Sequence, residues 1–211
     1  MKYKFTTIIL LLSIIKALMM QIYAQNIDLK ILKDINGISQ TVNFSLAISN
    51  TTTFVAFSTP ATMAVVALFK HDDKLLKNAI YCTAAIGVDG VLTYSLKHII
   101  NRDRPPFTYP DEILAYQALY HQSMPSGHTS LAFATATSLI IKYPKWYVIV
   151  PSYLWACSVG YSRMNLGVHY PSDVLAGAVL GTASAWVSYK VNDWFWRKNE
   201  NKKLLALKVY R

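Results

Sequence analysis

Charged residues are scarce in this chain, 15% of its 211 positions against 53% hydrophobic ones, and that balance argues against a soluble domain, whose surface needs more charge. Acidic groups are the scarcer sign: 11 Asp and Glu face 21 Lys and Arg, a formal net charge of +10. Cysteine is nearly absent. Cys82 and Cys157 both lie in apolar runs, which suits small buried hydrophobes and offers neither a disulfide framework nor a metal site. No internal repeat, low-complexity tract or linker divides the sequence, so a single domain is expected.

What is abundant is apolar sequence in blocks. Runs of mostly apolar character occur at about 5–24, 54–69, 79–100, 129–141, 146–161 and 174–189. Several are shorter than the roughly 20 residues that cross a bilayer core, but six of them in one small chain favour a membrane bundle over a buried globular core. The positive charge fits the same reading. From Lys190 onward seven Lys or Arg face Asp193 and Glu200, and the aromatic cluster Trp194-Phe195-Trp196 opens that tail. Aromatic rings at headgroup level with basic residues on the cytoplasmic side make a membrane edge. No basic stripe or reader module accompanies the charge, so nucleic acid is not an expected partner.

At the N-terminus, Lys2 and Lys4 precede an apolar run that ends near Ile22-Tyr23-Ala24. Residues 1–24 read either as a secretory signal peptide or as a retained first transmembrane helix, with Lys16 and Ile22 leaning toward retention. In both readings residues 25–211 form the working domain and begin outside the cytoplasm. Residues 25–50 are expected as an outer segment, with Ile31, Leu32, Ile35 and Ile38 near helical spacing on a surface-lying amphipathic helix. Counting the chain back and forth places Lys70, Lys74, Lys77, Lys142, Lys145 and the basic tail on one side. Lys97 with 101–127, and Ser162 through Asp173, fall on the other. In the last run Gly177, Gly181 and Ala185 recur every four residues, a face of small residues for close helix packing.

Three stretches on that second side carry chemistry. Lys97, Arg104 and Arg163 are fixed cations of the kind that neutralise phosphoryl oxygens, arginine by bidentate contact. Pro105 and Pro106 end the helix before them and direct the chain. Ser126 reads as the N-cap of a helix, and Gly127 lets backbone N–H groups approach an anion at its positive end. His128 in the first turn is placed to exchange a proton. Pro171 fits the first position of the last helix, which puts Asp173 in the first turn within reach of His169. A histidine with one nitrogen held by a carboxylate presents the other as a nucleophile. Each residue alone has an ordinary structural explanation. Together, on one side of a membrane, they do not.

The pattern Lys97-x6-Arg104-Pro105, then Pro125-Ser126-Gly127-His128, then Ser162-Arg163-x5-His169-x3-Asp173 resembles the full three-part signature of the type 2 phosphatidic acid phosphatase superfamily. The resemblance spans residues 97–173 and departs at no signature position. It implies an all-α, six-helix transmembrane bundle and a metal-independent phosphatase without cofactor. It implies further that His169 attacks phosphorus, Asp173 orients it, and His128 protonates the leaving oxygen and then activates water. Lys97, Arg104, Ser126, Gly127 and Arg163 would hold the phosphate.

The expected partner is a lipid phosphate or diphosphate in the inner membrane of a bacterial cell, with the site facing the periplasm or exterior; nothing in the sequence assigns an oligomeric state. A phosphotransferase would use the same residues. A vanadate-binding haloperoxidase and a non-catalytic lipid-binding scaffold rank lower. Of the other polar residues, Asp89 on the face of Lys97 is costly at membrane depth and should have a reason. His71, His98 and His121 read as incidental, and Asn165 and Tyr170 as neighbours of the pocket. Residues 107–122, with Ile113, Leu114, Tyr116, Leu119 and Tyr120, read as an interfacial helix gating lipid entry.

Overall fold

Apolar runs become longer helices wherever their polar neighbours find partners inside the bundle. The structure, a computed structural model, describes residues 26–36, 38–117 and 121–209, with backbone alone at Ser39 and from 197 onward. The run at 1–24 lies outside the described residues, as do Leu119 and Tyr120. Helix α1 covers 26–36. A 3-10 turn at Ser39–Thr41 leads into α2 (Val42–Lys70), followed by α3 (Asp73–Ile100), the one-turn α4 (Pro105–Thr108), α5 (Gly127–Lys142), α6 (Trp146–Asn165) and α7 (Pro171–Val209). Among the described residues the fold is all-α, as expected, the single exception being an isolated bridge between Asp103 and Gln122.

Two segments differ from the sequence reading. The outer segment at 25–50 is cut short because α2 begins at Val42. Its first turns are rich in Ser and Thr, and Ser45, Ser49 and Thr52 are buried against other helices, so the apolar run marked only the lipid-facing half. Residues 109–117 are not helical. Their backbone groups are claimed from outside the segment: Asn36 Nδ2 donates to the Leu114 carbonyl at 2.9 Å, Asn36 Oδ1 accepts from Leu114 N at 2.9 Å, and Tyr116 N donates to Leu166 O at 3.1 Å. Ile113 is buried with Leu32 and Tyr170. Helix α1 exists where amphipathic spacing placed it, but the bundle takes Asp28, Leu32 and Asn36, while Ile27, Ile31 and Ile38 face outward.

The distribution of side chains is that of a protein solvated by lipid. Large apolar groups point out, among them Phe54 at 75% and Phe69 at 84% exposure, while the interior holds Ala56, Ala85, Ala132 and Ala156 with Ser130, Thr135 and Ser138. With no hydrophobic drive between helices in hydrocarbon, small residues and interhelical hydrogen bonds supply the packing. Helices α2, α3 and the Pro171–Trp196 part of α7 are long and apolar enough to cross a membrane. At one end of the bundle basic and aromatic groups interleave: Lys142 Nζ lies 4.8 Å from the Tyr81 ring and 4.9 Å from that of Tyr189, and Lys77 Nζ lies 4.5 Å from that of Trp196.

The tightest helix contact is between α5 and α7. A Cβ on Gly177 would stand 2.6 Å from the Ser126 carbonyl oxygen, and one on Gly181 would overlap the Ser130 carbonyl. The predicted small-residue face is therefore the face on which α7 lies against α5. Overpacking of this kind costs about 1–3 kcal/mol. Gly181→Ala is expected to lower the melting midpoint in detergent, whereas Gly90→Ala, which meets nothing within 4 Å, is expected to leave it unchanged or raise it.

Candidate active site

Helices α3 and α6 end, and α5 and α7 begin, at the same end of the bundle. The positive ends of two helix dipoles therefore sit beside the cations that the chain places at the ends of the other two. A cavity of about 340 Å³ opens there, lined by Lys97, Arg104, Gln117, Gly127, His128, Arg163 and His169. Six of the eight residues expected from the sequence line it. The other two, Ser126 and Asp173, stand behind the wall.

Each cation is aimed by neighbours rather than left to swing. Lys97 Nζ donates to the carbonyls of Gln122 and Ser123, both at 3.1 Å, which leaves one of its three donors for the cavity. Arg104 Nη1 donates to Val168 O at 2.9 Å and lies 3.3 Å from His169 Nε2. Arg163 Nη1 donates to Ser49 Oγ at 2.5 Å and to Gln117 Oε1 at 2.7 Å. Among the described residues the Nε atoms of both buried arginines have no hydrogen-bond partner. Burial pulls the Arg104 guanidinium down from its ordinary value, with Asp173 opposing, and an arginine starts so far above neutrality that it stays charged.

His169 is almost wholly buried, 1% exposed, and its two nitrogens have different company. A guanidinium N–H can only donate, so the contact with Arg104 makes Nε2 the acceptor and leaves the ring proton on Nδ1. Nδ1 lies 3.5 Å from Asp173 Oδ2 and 3.3 Å from Ser123 Oγ, while Ser123 Oγ donates to that same carboxylate oxygen at 2.5 Å. Burial holds the imidazole down at about 3 despite the raising pull of Asp173, and Arg104 and Arg163 add to the depression. The ring is thus neutral, and the Nε2 electron pair that accepts from Arg104 lies at the cavity wall.

Asp173, fully buried, reaches back to accept from Tyr170 N at 2.9 Å, the N3-to-N-cap contact of a helix start. It also accepts from Arg102 Nη1 at 2.8 Å. Ser126 departs from the role of side-chain cap. Its backbone is extended at the head of α5, but its hydroxyl pairs with Thr129 Oγ1 at 2.9 Å and its N–H donates to the Asp173 carbonyl at 3.0 Å. That last bond joins the first turns of α5 and α7 directly.

Four contributors escaped the sequence reading: Ser49, Arg102, Gln117 and Ser123. Ser49 lies beyond the motifs, and Ser123 and Gln117 sit in an irregular segment where no periodicity marks a facing side chain. Arg102 was in plain view two residues before Arg104, and its charge in a loop was the available signal. Asp89 has no ion-pair partner among the described residues. It is buried and accepts from Ser130 Oγ, tying α3 to α5 beneath the site. Asn165 donates to the carbonyls of Ile35 and Ile38 at 3.0 and 3.2 Å and holds the end of α1 to α6. His98 turns away to the Tyr94 carbonyl of its own helix.

Known proteins resemble this chain in both sequence and fold. The family model of the PAP2 superfamily matches residues 78–197. The lipid A 4'-phosphatase of Bacteroides thetaiotaomicron is 38% identical over 65 residues, 31% of this chain and 29% of that one. The undecaprenyl-diphosphatase of Sulfolobus acidocaldarius is 33% identical over 116 residues, 51% of this chain and 54% of that one. The chain thus spans about half or less of the length of these curated relatives. The crystal structure of Aquifex aeolicus LpxE superposes with a TM-score of 0.65 at 28% identity, covering 77% of this chain and 94% of that one.

Cations converging on one cavity should bind a small oxyanion. Inorganic phosphate is expected to raise the melting midpoint of the detergent-solubilised protein. A hydrogen bond to a charged group is worth about 1.5–3 kcal/mol, so Arg163→Ala should weaken phosphate binding roughly ten- to a hundredfold, as read by thermal shift or calorimetry.

Proposed function

We propose, for a chain that belongs to the PAP2 superfamily and is a multi-pass membrane protein, that it hydrolyses a lipid phosphate or diphosphate. The observation that carries this reading is His169 Nε2, held as an acceptor against Arg104 and facing a cavity that Lys97, Arg163 and His128 also line.

The phosphoryl group sits among Lys97, Arg104 and Arg163, with the Gly127 backbone at the head of α5 offering N–H donors. Its equatorial oxygens lose their repulsion for an incoming electron pair. Nε2 of His169 then attacks phosphorus in line with the ester oxygen; the P–N bond forms as the P–O bond to the lipid breaks. Burial and the cations Arg163, Arg104 and Lys97 hold the His128 imidazole down at about 4; the phosphate anion offsets those cations, so that His128 takes up a proton with the substrate and gives it to the departing oxygen. Positive charge that develops on the His169 ring is met at Nδ1 by Asp173, directly and through Ser123. In the second half His128, now neutral, takes a proton from water, and the resulting hydroxide displaces phosphate from Nε2.

The choice of a lipid substrate is supported by the position of the cavity, at the mouth of a bundle whose outer surface is apolar, and by relatives named for lipid A and undecaprenyl diphosphate. Both names include a phosphoryl group, which is what this site would hold. Polyprenyl diphosphate, phosphatidylglycerophosphate, phosphatidic acid and lipid A phosphate all present it. The basic end of the bundle, with Lys77, Lys142 and Lys190 against aromatic rings, supports placing that end in the cytoplasm. The cavity then opens at the outer face of an inner membrane.

The test is phosphate release from a panel of lipid phosphates by the purified protein in detergent, with and without a metal chelator and with an acceptor lipid. Hydrolysis unaffected by the chelator is expected, and transfer to the acceptor in place of release would make the enzyme a phosphotransferase. His169→Ala should lose turnover by about four orders of magnitude or more, as nucleophile removal does elsewhere, with folding unchanged. With an activated aryl phosphate whose leaving group needs no proton, His128→Ala should accumulate an acid-labile phosphohistidine, detected by mass spectrometry.

A further inference from the structure

The carboxylate behind the nucleophile is itself held by Arg102, at a position the three motifs leave unspecified, and through it by a residue outside them. Arg102 donates through Nη1 to Asp173 Oδ1 at 2.8 Å and to Ser172 Oγ at 2.7 Å, and through Nη2 to Asp28 Oδ2 at 2.9 Å. Asp28 lies on α1, in a part of the chain that the family match at 78–197 does not reach. It accepts in turn from Ser172 N at 2.9 Å and from the Ser172 hydroxyl. The guanidinium lies 3.9 Å from the centroid of the Tyr170 ring. Both arms of the fork and one face of its plane are therefore occupied.

We infer that Asp28 and Arg102 are positioning residues for the phosphatase reaction, α1 supplying through them the alignment of Asp173 and hence of His169. The inference rests on reading His169 as the nucleophile. Ring orientation at His169 depends on Asp173 Oδ2, at 3.5 Å directly and through Ser123 Oγ. The other oxygen of that carboxylate is the one Arg102 grips, so rotation of the carboxyl group is blocked from behind. Without Asp28 the guanidinium has one anchored arm and can pivot about it. A free pivot moves Asp173, and a displaced carboxylate releases the Nδ1 side of the nucleophile. Burial by itself would lower the Arg102 guanidinium, yet Asp173 and Asp28 together hold it above its ordinary value. This is a cation kept as a fixed bracket, its side chain 20% exposed, that lines a separate cavity with Asp103, Thr108, Tyr109 and Tyr170 and not the one at His169.

The same geometry explains the inward face of α1. Asp28, Leu32 and Asn36 are 6%, 0% and 4% exposed, spaced by four along one face of the helix. Asp28 fixes the α7 start, Leu32 packs with Ile113 and Tyr170, and Asn36 reaches the Leu114 and Asn165 backbones. A helix that only floated on the lipid surface would turn its isoleucines inward or leave its polar groups wet.

The experiment measures kcat and KM of the full chain in detergent for a soluble aryl phosphate, comparing Asp28→Asn, Arg102→Lys, Arg102→Ala and His169→Ala. Misplacement of a reacting group by about 1 Å costs on the order of a hundredfold. Asp28→Asn and Arg102→Lys are expected to lose roughly ten- to a hundredfold in kcat with KM within about twofold, at an unchanged melting midpoint. Free guanidinium added to Arg102→Ala is expected to restore part of kcat, which a packing role would not permit. Unaltered kcat in Asp28→Asn and Arg102→Lys, with His169→Ala inactive, would overturn the inference and leave the nucleophile standing. Activity in His169→Ala would overturn the reading beneath it. If Arg102→Ala proves unfolded, the kcat of the isosteric Asp28→Asn decides alone.

Discussion

The backbone of α7 touches the backbone of α5, and the site exists because it does. Glycine at 177 and 181 removes the atoms that would hold the two helices apart, and their first turns are then close enough for Ser126 N to bond the Asp173 carbonyl at 3.0 Å. That single approach sets Gly127 and His128 beside the histidine that precedes α7. It also brings two positive helix ends together, on a face where the C-terminal ends of α3 and α6 deliver Lys97 and Arg163.

Charge at that face is sorted by depth. The cavity wall carries cations and imidazoles, whereas the carboxylates Asp28 and Asp173 are withdrawn behind His169 and bound to Arg102. Had Asp173 lined the cavity, it would have repelled a phosphate as strongly as a lysine attracts one. Placed behind the ring, it contacts the imidazole and not the cavity. Asp89 shows the same economy further down: one buried acid, satisfied by the Ser130 hydroxyl, joins α3 to α5 at the level where α7 is also in contact.

Legibility in the sequence followed the kind of interaction concerned. The lipid-facing helices were visible as apolar runs because the bilayer acts on composition alone. The polar first turns of α2 were invisible for the complementary reason: Ser45, Ser49 and Thr52 are buried, and a hydroxyl facing another helix looks, in sequence, like one facing water. The segment after α4 read as an interfacial helix from Ile113, Leu114 and Tyr116, yet it is pinned in irregular form by Asn36 and the Leu166 carbonyl. Local composition cannot anticipate a partner 78 residues away.

The sequence by itself determined that the chain is a helical membrane bundle and which side chains to look for at one site, since hydrophobic run length and the identity of Lys97, Arg104, His128, Arg163, His169 and Asp173 are properties of the residues themselves. Only the tertiary structure decided that Ser126 serves the helix junction, that Ser123 stands between carboxylate and imidazole, and that α1 reaches the site through Asp28 and Arg102. Those are contacts between segments far apart in the chain, and their existence depends on angstrom-scale distances that no spacing along a sequence encodes.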